Sequence, residues 1–156
     1  MLEAFLDALA GPGEWLNSGR WAYASVNAGH ILGIACLFGA ILPLDLRLLG
    51  CWPTVPARAL ARVLVPVAAA GLLLALASGV LLFSVDPHYY AGVGLFRVKL
   101  VLIGLALLNL ALLHRSHAWR ALLSGSPIAG RLRLAGLFSA GLWLAAIICG
   151  RFIAYV

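Results

Sequence analysis

Charged residues are scarce in this sequence: they make up 10% of its 156 residues, with 5 acidic side chains against 11 basic ones. Soluble domains are about a quarter charged and closer to half apolar, whereas 64% of this chain is hydrophobic. A small domain has too much surface for its volume to hide that much Leu, Ala, Val and Ile from water. Lipid must cover it. Methionine occurs once, at Met1, and the cysteines, Cys36, Cys51 and Cys149, form no CxxC step. A thiol-based metal or redox motif is therefore excluded, and the cysteines read as small core residues. No Ser-His-Asp or Cys-His arrangement, phosphate loop or pair of carboxylates is present, so the common hydrolase chemistries are excluded too. Met1 to Gly19 contains Glu3, Asp7 and Glu14 but no Lys or Arg, so no cleaved signal peptide is expected. The formal net charge of +6 falls in short clusters between apolar runs. It fits loop charge that orients a membrane protein and does not fit a nucleic-acid-binding stripe.

What the sequence has in abundance is long apolar runs. Four of them, near 21–44, 63–83, 95–113 and 134–153, each approach the roughly 20 residues a helix needs to cross about 30 Å of hydrocarbon. They predict an all-α fold: one integral membrane four-helix bundle spanning residues 1–156. Breaker-rich segments separate the spans at Gly50-Cys51-Trp52-Pro53-Thr54-Val55-Pro56 and Ser124-Gly125-Ser126-Pro127. A third connection, Ser84 to Tyr90, carries Pro87 and two tyrosines that suit a membrane interface. Arg47, Arg58 and Arg62 follow the first run, and Arg115, Arg120, Arg131 and Arg133 follow the third. Those two loops are expected on the cytoplasmic side, with both termini outside. Leu2, Phe5, Leu6 and Leu9 recur at helical spacing, predicting a short amphipathic helix along the outer surface. Gly29 with Gly33, and Gly71, Ala75 and Gly79, offer small faces for close helix approach. The runs Ala70 to Ala75 and Ala140 to Ala145 hint at a duplicated hairpin.

An ionisable side chain near the bilayer centre costs about 2.5–3.5 kcal/mol or more, so each one inside a span is a candidate functional residue. His30 lies in the first run, with Asn27 and Tyr23 above it on the same helical face. Arg97 and Lys99 open the third run, Asn109 lies deeper in it, and Arg151 and Tyr155 close the fourth. At about 1.5 Å of rise per residue, His30 falls roughly 5 Å to the outer side of its span's midpoint, and Lys99 and Arg151 roughly 8 to 10 Å. His114 falls roughly 14 Å to the inner side on the same scale, too far to share an ion with His30. His30, Lys99, Arg97 and Arg151 are thus expected at one outer site, with Asp86 and His88 over it. Such a cluster calls for an anion: haem carboxylates, a quinone or a lipid headgroup. An imidazole beside cations is the arrangement a b-type haem needs, with His30 on the metal and the cations on the propionates. In a plainer reading the cations reach lipid phosphates and His30 hydrogen-bonds within the bundle. Asp45 and Arg47 cannot share a helical face, so each is expected to pair across the bundle or with a helix end.

The motifs Gly29-His30-Ile31-Leu32-Gly33, Leu44-Asp45-Leu46-Arg47-Leu48-Leu49-Gly50, Phe96-Arg97-Val98-Lys99-Leu100 and Gly150-Arg151-Phe152-Ile153-Ala154-Tyr155 resemble a bacterial family of four-helix inner-membrane proteins, a domain of unknown function. More distantly, His30 with Lys99-Leu100 and Asn109 is similar to the membrane domain of copper resistance protein D. The same His and Lys-Leu placement resembles the HemJ-type haem b membrane proteins, without their Asn-Glu-x-x-Pro segment. The resemblance implies a multi-pass protein of the bacterial inner membrane. Three functions follow: a haem-b-binding electron-transfer subunit working with a redox partner or quinone, a copper or small-solute permease, or a scaffold in a homo- or hetero-oligomer.

Overall fold

The computed structural model describes residues 13, 15, 16 and 19–155, and among these all regular structure is helical. Four long helices, α1 (Arg20–Leu49), α2 (Ala57–Phe83), α4 (Gly94–Arg115) and α6 (Gly130–Phe152), are each long and apolar enough to cross a membrane. Two short helices, α3 (Pro87–Gly92) and α5 (His117–Leu123), stand in the connections, and a 3-10 turn, Ile153–Tyr155, ends the described chain. At about 1.5 Å per residue the long helices measure roughly 33 to 45 Å. They therefore exceed the thickness of the hydrocarbon core.

The helix ends follow local chemistry. α1 stops at Gly50, whose φ of 116° only glycine adopts readily; its N–H reaches the Arg47 carbonyl and the next N–H, from Cys51, reaches Leu46. Asp86 starts α3 by accepting a hydrogen bond from the Tyr89 N–H at 3.0 Å, with Pro87 in the first turn. Ser116 starts α5 in the same way through the Trp119 N–H at 3.1 Å. Pro43 and Pro66 lie inside α1 and α2 and each removes one intrahelical hydrogen bond, yet both helices continue through them.

α1 packs closely against α2 and against α6, and α6 against α4. α2 and α4 close the ring without a comparable approach of their backbones. A core at the Arg-rich end joins Leu44 and Leu48 of α1, Ala57 and Ala61 of α2, Leu113 of α4, Trp119 and Leu122 of α5, and Leu132 of α6. A second core nearer mid-bundle joins Leu37, Ala106 and Trp143, with Ala68 and Leu72 of α2 against it. At the opposite, tyrosine end, Phe83 stacks on Phe96 with centroids 5.2 Å apart, and Tyr90 lies 6.3 Å and 5.8 Å from these two rings. The outside of the bundle is also apolar. On α4, Val98, Val101, Leu105, Leu108 and Leu112 form an exposed stripe at helical spacing, a surface suited to acyl chains and unsuited to water.

The bundle matches the architecture expected from the sequence, and its helices overrun the apolar runs at most ends. The expected amphipathic helix over Leu2 to Leu9 lies outside the described residues. Leu16 is buried, and the Gly13 backbone meets the Ser84 carbonyl at the end of α2. Cys51 is exposed in the α1–α2 loop, so the expectation of a core role is corrected for this cysteine: it falls past the helix end, where no neighbour covers it. Gly71 is buried against α1, whereas Gly141, its counterpart in the second Ala-Gly-Leu run, has no atom near its absent side chain.

Candidate functional site

The site begins with a close approach of two helices. Gly33 and Gly71 let α1 and α2 meet backbone to backbone, and one turn further the His30 ring lies over Gly79, where a Cβ would stand 3.2 Å from His30 Cε1. That approach brings His30 Nδ1 to 2.9 Å from the Ala75 carbonyl and 3.1 Å from Ser78 Oγ. The Ser78 hydroxyl donates its own proton to the Leu74 carbonyl at 2.5 Å, so toward the imidazole its oxygen is an acceptor. Two acceptors around Nδ1 assign the ring proton to that nitrogen. The neutral ring then keeps its lone pair on Nε2, the atom free to take a metal or a proton.

Lys99, the single lysine of the sequence, enters from α4. Its stem and ammonium lie along Gly150 of α6, where a Cβ would stand 3.0 Å from Nζ and 3.3 Å from Cε. Cys149 lies within electrostatic range of it, and Lys99 lies in turn within electrostatic range of His30. The fold therefore brings together an imidazole held by α1 and α2 and an ammonium held by α4 and α6.

The other expected members of the cluster have local partners. Arg97 is exposed and donates from Nε to the Ala91 carbonyl at 3.0 Å and from Nη2 to Gly92 at 3.1 Å, closing the end of α3. Arg151 donates to the Tyr155 hydroxyl at 2.5 Å, with its guanidinium 4.7 Å from that ring's centroid. Asn27 and Tyr155 are exposed. Asp86 is spent on the α3 cap. His114 lies at the other end, its Nδ1 3.0 Å from the Leu110 carbonyl and its ring 4.8 Å from Trp119. Arg97 and Arg151, expected at the depth of His30, thus each hold acceptors on their own or the adjoining segment.

Two polar residues matter more than their place in the sequence suggested. Asp45 is buried in α1 with Ser139 of α6 facing its carboxyl, and among the described residues its Oδ2 has no hydrogen-bond partner. Arg47, two residues on, points instead to the loop, donating to Val55 at 2.6 Å and Pro53 at 3.2 Å. The two thus pair separately, one across the bundle and one at a helix end. Asn109 donates to the Ala135 carbonyl at 3.0 Å and ties α4 to α6 beside a cavity of about 180 Å³. Ser78 and Ser139 were legible only as members of inward stripes: Ser78 follows Gly71 and Ala75, and Ser139 follows Leu132 and Gly136.

Among the described residues no three His, Cys, Asp or Glu side chains converge on a point. Comparison with protein-family models, curated protein sequences and solved structures returns no match. Fold and surface define a multi-pass integral membrane protein.

Proposed function

We propose that this protein binds haem b through His30 and serves electron transfer as a small membrane subunit. One observation carries the reading: His30 Nδ1 is held on the Ala75 carbonyl and Ser78 oxygen, leaving Nε2 as the donor. Metal-ligating histidines characteristically spend their second nitrogen on such an acceptor, which fixes tautomer and ring direction. His30 would be the residue that holds the haem iron. Lys99 would be the cation that holds a propionate, while Arg97 and Arg151 would have to leave their present acceptors to join it. Bound haem would supply one-electron chemistry; the chain's own part is to fix the imidazole, supply a positive charge and exclude water. In this reading the Arg-rich end faces the cytoplasm of a bacterial inner membrane, and the site faces a periplasmic redox partner or a quinone.

The test is the visible spectrum of protein produced with ample haem supply, oxidised and reduced. A Soret band that disappears in His30→Ala and survives in Arg97→Ala is expected; its absence from the wild type overturns the reading. The local partners of Arg97 and Arg151 favour a second reading, a scaffold subunit without a cofactor. That protein would show a featureless spectrum and tolerate His30→Ala in partner co-purification. A copper permease has weaker support, because copper(I) favours clustered soft ligands and the cysteines are scattered.

A further inference from the structure

Among the described residues, the Arg-rich end lacks counter-charge. Arg47, Arg58, Arg62, Arg115, Arg120, Arg131 and Arg133 all stand at or near it. Of the described acidic residues, Asp45 is buried inside the bundle and Asp86 caps α3 at the opposite end. Arg47 is engaged by loop carbonyls. Arg58, exposed in the first turn of α2, has no hydrogen bond or ion pair among the described residues.

Arg58 borders a groove of about 460 Å³ between the end of α1, the start of α2, the end of α5 and the loop before α6. Its walls combine two chemistries. Arg47, Arg58 and Ser126 supply polar groups, and Ala57, Leu122 and Ile128 supply an apolar floor continuous with the core at this end. Gly125, at φ 104°, turns the loop so that its backbone runs beside the Arg58 guanidinium; a Cβ there would stand 3.7 Å from Nη1. Trp52, exposed in the α1–α2 loop, marks this end as headgroup depth.

We infer that the groove is a binding site for one anionic phospholipid, with Arg58 on the phosphate and the glycerol end of the lipid over Ala57, Leu122 and Ile128. Charge complementarity decides the occupant: the described residues offer these guanidinium groups no carboxylate, and the anions expected at this depth are lipid phosphates. A free inorganic anion would satisfy Arg58 but leave the apolar floor wet. Basic pockets between spans at the cytoplasmic side are used in this way for lipid headgroups. The site is remote from His30 and does not depend on haem.

The test is native mass spectrometry of delipidated protein in a nonionic detergent, titrated with phosphatidylglycerol or phosphatidylcholine. One equivalent of phosphatidylglycerol is expected to be retained in preference to phosphatidylcholine. Arg58→Ala should weaken retention about fivefold, the size expected for one basic residue at an anionic surface. Arg58→Lys should restore part of it, and Arg133→Ala, a cation outside the groove, should leave it unchanged. Equal retention of the two lipids, equal losses in Arg58→Ala and Arg133→Ala, or full displacement by inorganic phosphate at matched concentration would each overturn the assignment. Unchanged melting of the lipid-free variants separates loss of the site from loss of the fold.

Discussion

The backbones of Gly33 and Gly71 touch: a Cβ on Gly33 would stand 3.0 Å from the Gly71 carbonyl oxygen, and one on Gly71 would stand 2.8 Å from that of Gly33. Between membrane helices there is little hydrophobic driving force, so this fit of small residues is a main source of association.

Gly71→Leu is therefore expected to separate α1 from α2. The added side chain meets the Leu37 backbone nitrogen, which cannot move as a flexible side chain would, so the loss should reach or exceed the roughly 1–3 kcal/mol typical of overpacking. Melting in detergent would measure it. Gly29→Leu, at a position with no atom within 4 Å, should melt like the wild type. If haem is bound, Gly71→Leu should also lose the Soret band, because Ala75 and Ser78 move with α2.

Lys99 and Gly150 allow the ammonium to be moved without removing it. A Cβ at Gly150 would crowd Lys99 Nζ and Cε, the free end of a flexible chain, so Gly150→Ala should displace the ammonium at little cost in stability. The expected result is an unchanged melting temperature with weakened retention of an anionic ligand near His30. Lys99→Met, which keeps an apolar stem on Gly150, should give the same weakened retention.

Asp45 and Ser139 make a second internal tie, between α1 and α6. Ser139→Ala removes the hydroxyl that faces the buried carboxyl and should cost about 1–3 kcal/mol, the penalty for leaving a buried polar group unpaired. Asp45→Asn keeps an acceptor of the same shape and should be far milder, whereas Asp45→Leu fills the space but leaves Ser139 without this partner. Comparative melting of the three variants checks the order.

At the tyrosine end, burial pushes the Tyr90 phenol above its ordinary value, with Tyr23, Tyr89 and the Asp86 carboxylate adding to the rise. The folded protein therefore holds the phenolic proton more tightly than the unfolded chain. Its contribution to stability is complete below the ordinary tyrosine range, near pH 10, and declines as pH climbs through the folded value. Melting temperature is expected to fall over that alkaline range. Tyr90→Phe should flatten the fall while keeping the ring contacts with Phe83 and Phe96.

The four spans were legible because hydropathy and length decide them. The helices ran past the apolar limits because a helix ends at a stop signal and not at the edge of the hydrocarbon: α1 continues through Leu44-Asp45-Leu46-Arg47 until Gly50. α3 and α5 did carry signals, Asp86-Pro87 and Ser116, but they are too short for periodicity to reveal. Residue counting puts His30 and Lys99 near one level along their spans, but counting alone does not set direction around the helix. Arg97 turns to the α3 carbonyls, and of the Gly29–Gly33 step only Gly33 meets another helix. Ser78 and Ser139 acquired their importance from partners 48 residues away in one case and across the bundle in the other, which no local pattern encodes.

The glycine contact fastens α1 and α2 into one hairpin, and Asn109 with the Lys99 and Gly150 contact fastens α4 and α6 into another. The imidazole is anchored entirely in the first and the ammonium entirely in the second. Any sliding of one hairpin on the other along the α1–α6 seam changes the spacing of these two groups and alters neither anchorage, so a spectroscopic label pair at their exposed neighbours Ile31 and Val98 would act as a ruler for motion between the halves.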